Sequence, residues 1–147
     1  MDSKYLTHKN ILYSIKNNND NKDKKLPVAA FDLDGTILDS ANDLIGSLNL
    51  LLKEQNQKPM KKSNVYSLVG NGALAMIKEA YKINSTFDKD INWKKLQTRF
   101  IEIYKRHYVM QSKLYPYTEE TLKSLYKKNV QLILVSNKPE FFVKKIL

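Results

Sequence analysis

The chain has no cysteine among its 147 residues. That excludes disulfides, thiolate nucleophiles and thiolate metal sites. Arginine is nearly as scarce, with Arg99 and Arg106 alone, so the Arg/aromatic platform of many nucleic-acid faces is missing. The formal charge of +10 is therefore a weak argument for a nucleic-acid partner. Its lysines are scattered in pairs (Lys24-Lys25, Lys61-Lys62, Lys94-Lys95, Lys127-Lys128, Lys144-Lys145), and with plentiful asparagine and isoleucine they read as compositional drift. A basic surface also draws in small anions, so it does not count against a phosphate-handling enzyme. No apolar run approaches the ~18 residues of a membrane span, and the N-terminus lacks the apolar stretch of a secretory signal. The expectation is a cytoplasmic protein with no membrane partner.

What is there suits a packed core: 42% of residues are hydrophobic and 27% charged. The length fits one domain, or one domain with a small insertion. Residues 1–26 divide into a short helix expected over Tyr5 to Ile15 and a polar run, "KNNNDNKDKK", that reads as a flexible linker. "PVAAFDL" then reads as a buried strand. From Ser40 the period becomes helical through Leu44, Ile45, Leu48, Leu51 and Leu52, with Ser40 and Asp43 resembling a capping box. Pro59 and the Gly70-Asn71-Gly72 turn interrupt further helical stretches. The face marked by Trp93, Leu96, Phe100, Ile103 and His107 predicts a long helix ending near Lys113. His107 and Trp93 are most simply packing residues there. Pro116 closes this unit of about four helices.

Thr118 is expected to cap the next helix, with Glu119 and Glu120 in its first turn, Lys127-Lys128 in its last and Asn129 as a left-handed stop. "VQLILV" (Val130 to Val135) is a second buried strand, and Pro139 suits the first turn of a last helix with Phe142, Val143 and Ile146 inward. Two apolar strands joined through a helix imply a parallel pair. Ligands of such sheets sit beyond the carboxyl ends of the strands. Asp32, Asp34 and Ser136 all fall at those ends.

The stretch "VAAFDLDGTILDS" carries the chemistry. A strand can hide Val28 to Phe31, but ionised carboxylates at Asp32 and Asp34 are costly to bury without compensation. A turn at Gly35 would bring the second carboxylate beside the first. Asp32 can then attack as a nucleophile while Asp34 gives and takes a proton. Attack on a phosphate dianion requires a cation to damp the repulsion, and hard oxygen ligands suit Mg²⁺. Ser136 offers a hydroxyl, and backbone amides near Asn137 and Lys138 could meet phosphate oxygens. The bland readings stay open: a solvated Asp-Gly turn, a helix cap at Ser136-Asn137, and plain turn chemistry at Gly70 to Gly72.

"FDLDGTILDS" resembles the first motif of haloacid dehalogenase superfamily phosphatases, and "LILVSNKP" resembles their second. "LVGNGALAMI", "RFIEIYKRHY" and "LYPYTEETLKSL" resemble the phosphoglycolate phosphatase branch. The resemblance covers residues 27–147. It implies an α/β fold: a partial Rossmann-like core from 27–39 and 114–147, with a helical cap inserted at 40–113. It implies Asp32 as nucleophile and Mg²⁺ ligand, and Asp34 as general acid/base with its backbone carbonyl on the metal. Ser136 would hold the phosphoryl group with Asn137 beside it, Gly35 and Thr36 would shape the turn, and Gly70, Asn71 and Gly72 would form the substrate loop of the cap. The implied activity is Mg²⁺-dependent hydrolysis of a small phosphorylated metabolite, 2-phosphoglycolate first, with a sugar phosphate or nucleotide as the nearest rival.

The family's third motif, a lysine, and its fourth, an acidic pair, lie downstream of the second and have no counterpart here. Lys138 is not that lysine, since it sits inside the second motif, and Lys144 and Lys145 come too early. The chain resembles about the first two-thirds of such an enzyme. A second chain or a missing C-terminal part would complete the core. The rival from another class is an inactive truncated product or binding module. The strand Val28 to Leu33 is expected to be an unprotected apolar edge.

Overall fold

The structure is a computed structural model that describes residues 6–7, 10–15, 26–86 and 89–146. Two short strands come first, β1 (Leu6–Thr7) and β2 (Asn10–Ile15). The helix expected over Tyr5 to Ile15 is thus replaced by strands within the described residues. The reason is legible in "NILYSI", where Ile11, Tyr13 and Ile15 alternate with period two and are β-branched or aromatic. The polar run at 16–25 lies outside the described residues.

Strand β3 (Val28–Phe31) leads to the Asp-containing loop and a two-residue strand β4 (Leu38–Asp39). Four helices follow: α1 (Ala41–Glu54), α2 (Lys62–Tyr66), α3 (Ala73–Ile83) and α4 (Trp93–His107). Helix α4 ends at His107, short of Lys113. Its last turn carries Lys105, Arg106 and His107, and Tyr108 leaves it in extended backbone. Strand β5 (Lys113–Leu114), α5 (Thr118–Lys127), β6 (Gln131–Ser136) and α6 (Glu140–Ile146) complete the order.

The sheet order is β1-β2-β6-β3. Strands β3 and β6 pair in parallel, Val28 opposite Gln131 and Phe31 opposite Leu134, as two strands joined through a helix require. On its other side β6 pairs antiparallel with β2, Ile11 opposite Ser136. The second-motif strand is therefore interior and β3 forms an edge, with Val28 55% exposed. β6 alternates half-buried and buried positions, ending on the buried Ser136.

The helical segment from α1 to α4, called the cap below, packs around its own centre. Leu48, Leu51 and Leu52 of α1 meet Met76 and Ile77 of α3 and Phe100 of α4, all essentially inaccessible. Each such burial contributes about 2 kcal/mol. Phe142 of α6 joins the same cluster through an edge-on contact with Tyr104 at 4.8 Å, keying the cap to the core. The two passages between core and cap are zipped together as β4 and β5, Leu38 opposite Leu114.

Two expected caps are spent elsewhere. The Ser40 hydroxyl donates to Asp34 rather than to the start of α1, and the Asp43 carboxylate accepts from Gln111 and Ser112, 68 and 69 residues on. Helix α5 starts after Tyr117, which takes left-handed backbone (φ 64°) and is 79% exposed, and Thr118 makes no cap. Asn129 does take the left-handed stop (φ 57°).

Candidate active site

The loop after β3 is wound around one carbonyl. Leu33, fully buried, anchors it, and its oxygen accepts from Thr36, Ile37 and Leu38 at 3.4, 3.0 and 2.8 Å. Gly35 closes the turn at φ +87°, its N–H donating to the Leu38 carbonyl at 2.8 Å. A side chain there would be strained and would crowd Val69 of the cap at 3.3 Å. Thr36 is exposed at the tip.

Asp34 is buried and held from two sides. The Ser40 hydroxyl donates to Oδ1 at 2.5 Å, and Lys138 Nζ lies 2.9 Å from Oδ1 and 3.1 Å from Oδ2. Asp32 is half-buried. Burial raises its carboxyl above the ordinary range; the Leu33 N–H opposes this, the Asp34 charge adds to it, and Lys138 pulls it down.

The cap reaches both aspartates through Gly70. A Cβ on Gly70 would sit 3.3 Å from Asp32 Oδ2 and 3.6 Å from the Asp34 carbonyl oxygen, with φ at +91°. Only a bare backbone fits so close, and two oxygens of the first motif face the same point. The Gly70 carbonyl accepts from Asn137 Nδ2 at 2.9 Å, so the cap loop is bonded to the second motif. Gly72 faces Asn137 at 3.8 Å from the same test position, whereas Asn71 is exposed.

Asp34, Gly70, Gly72, Ser136, Asn137 and Lys138 line one narrow cleft between cap and core that encloses about 40 Å³, its wall otherwise mostly apolar. The Lys138 N–H donates to Ser136 Oγ at 3.1 Å, so this amide, expected to be available to a phosphate, is used internally. Tyr104 hydrogen-bonds Lys138 Nζ at 2.8 Å; burial, then the charges of Asp34 and Asp43, holds its hydroxyl far above the ordinary tyrosine range.

The chain matches the haloacid dehalogenase-like hydrolase family over residues 29–147. It belongs to that family. Curated phosphoglycolate phosphatases from Colwellia psychrerythraea and Agrobacterium fabrum are 35% and 36% identical over 123 and 121 residues, which is 82% of this chain in both cases. The crystal structure of a predicted phosphoglycolate phosphatase from Haemophilus somnus superposes with a TM-score of 0.72 at 32% identity, covering 83% of this chain and 56% of that one. The chain spans about half the length of the curated relatives it matches, 54% and 52%, rather than two-thirds. The α/β fold of the family is therefore present in part, its parallel pair and flanking helices among the described residues. None of those helices is long and apolar enough to cross a membrane.

Sequence reasoning missed Lys138, Tyr104, Ser40 and Asp43 as parts of this candidate site and its hinge. The signal for Lys138 was its position two residues past Ser136. The other three carried signals of caps and helix packing, and nothing local distinguishes them.

Proposed function

We propose that this chain carries the nucleophile and acid/base half of a phosphomonoesterase that acts on a small phosphorylated acid, 2-phosphoglycolate first. The observation behind it is the convergence of Asp32 Oδ2 and the Asp34 carbonyl on the bare backbone of Gly70, beside Ser136 and Asn137. Asp32 attacks phosphorus, the bond to the leaving oxygen breaks, and Asp34 delivers a proton to that oxygen. Water then attacks the aspartyl-phosphate, Asp34 takes its proton, and inorganic phosphate leaves with Asp32 regenerated. Ser136 and Asn137 orient the phosphoryl oxygens, while the Gly70 loop roofs the site against water.

The two facing oxygens of Asp32 and Asp34 are hard donors of the kind Mg²⁺ takes. Bound there, the cation would offset the charge shared by the phosphoryl group and the nucleophile. A third acidic ligand is not found with them among the described residues. That observation, with the half-length match, supports a second reading: the site is completed by further polypeptide or a second chain pairing at the β3 edge, and the 147-residue chain alone turns over little or nothing.

Phosphate release from 2-phosphoglycolate and an aryl phosphate tests both, run with Mg²⁺, with chelator and beside Asp32→Asn. Turnover that needs both Mg²⁺ and Asp32 supports the first reading. Silence in a folded sample favours the second, and turnover by Asp32→Asn would sink the nucleophile assignment.

A further inference from the structure

One buried cation in the site takes no part in the bond-making steps. The Lys138 side chain is only 3% exposed, and an ammonium in such surroundings must place all three of its N–H donors. It does so on Asp34 Oδ1, Asp34 Oδ2 and the Tyr104 hydroxyl, at 2.9, 3.1 and 2.8 Å. Asp34 belongs to the loop after β3, Lys138 to the loop after β6, and Tyr104 to helix α4 of the cap. Three segments far apart in the chain meet at one nitrogen. The other hydrogen bond to the Asp34 carboxylate comes from Ser40, at the entrance to the cap.

We propose that Lys138 is a positioning residue that couples the seating of the cap to the orientation of the Asp34 carboxylate. If α4 lifts, Tyr104 leaves and a buried ammonium loses one acceptor, so its hold on Asp34 changes as well. When α4 is seated, the carboxylate is fixed by Lys138 and Ser40 together. The catalytic benefit rests on the phosphatase reading above; the mechanical coupling does not.

The test uses the full chain as wild type, Tyr104→Phe and Lys138→Met, followed by amide hydrogen exchange and by kinetics on an aryl phosphate with Mg²⁺. Tyr104→Phe keeps the ring between Phe100 and Phe142 and removes only the hydroxyl, so it remains informative if Lys138→Met fails to fold. Expected is about tenfold faster exchange in the 34–40 loop, where no atom has been altered, together with faster exchange in α4. Expected in kinetics is a kcat about tenfold lower, with KM within about twofold. Faster exchange confined to α4 would overturn the coupling, as would a change in KM alone. If wild type shows no turnover, the reading in which further polypeptide completes the site is favoured, and the exchange measurement still decides the coupling.

Discussion

The cap and the core differ in how many of their described side chains they bury. Among the described residues the cap-centred cluster joins fourteen buried side chains drawn from α1, α3, α4, the Met60 segment and α6. The core cluster has five: Leu33, Ile37, Leu38, Leu134 and Val143. Helix α5 buries no residue fully, and the β3 edge leaves Val28 open. Among the described residues the cap is densely packed, whereas the core leaves the β3 edge and α5 partly uncovered.

The largest expected effect tests that contrast directly. Phe100→Ala should cost about 3–5 kcal/mol in denaturant unfolding, because its surroundings cannot collapse into the space. Leu125→Ala on the half-covered α5 should cost below about 1 kcal/mol. Similar losses at both positions would mean that the core is as well packed as the cap. The hinge between the two regions comes next. Asp43 accepts from the Gln111 and Ser112 amides at 3.0 and 2.8 Å and from the Ser112 hydroxyl at 2.5 Å. Asp43→Ala leaves those donors without their acceptor and should cost about 2 kcal/mol, read as a lower thermal midpoint with helix content retained.

The smallest effect is a pH dependence on the cap surface. Hydrogen bonds from the Arg99 guanidinium, at 2.8 and 2.7 Å, hold the Glu54 carboxyl below its ordinary value. A folded value below the unfolded one means that the contribution is complete above about pH 4.5 and fades as pH falls from there. Both side chains are well exposed, so the slope is shallow and weakened by salt. Glu54→Gln should flatten it in an acid titration of stability, and an unchanged slope would assign the acid sensitivity elsewhere.

Much of this was readable in advance. The run from Val28 to Ser40 announces strand, turn and two acids. The spacing of Leu44, Leu48, Leu51 and Leu52 announces the first cap helix, and Asn129 announces a left-handed stop. Less readable was the use of short polar side chains. Ser40 and Asp43 stand three apart, as a capping box requires, yet Ser40 donates to Asp34 and Asp43 accepts from Gln111 and Ser112. The N-terminal strands were missed because the strand carrying the period-two alternation of Ile11, Tyr13 and Ile15 is only six residues long and its neighbours also fit a helical spacing.

The sequence by itself determined the main helices and strands from Val28 onward, the family, and which carboxylates end the strand at Val28–Phe31, since these depend on local periodicity and on residues adjacent in the chain. Only the tertiary structure decided that β2 closes one side of β6, that Gly70 lies against Asp32, and that Lys138 joins Asp34 to Tyr104. Those contacts link positions tens of residues apart, and they form because a buried charge or an unpaired strand edge must find a partner wherever the fold supplies one.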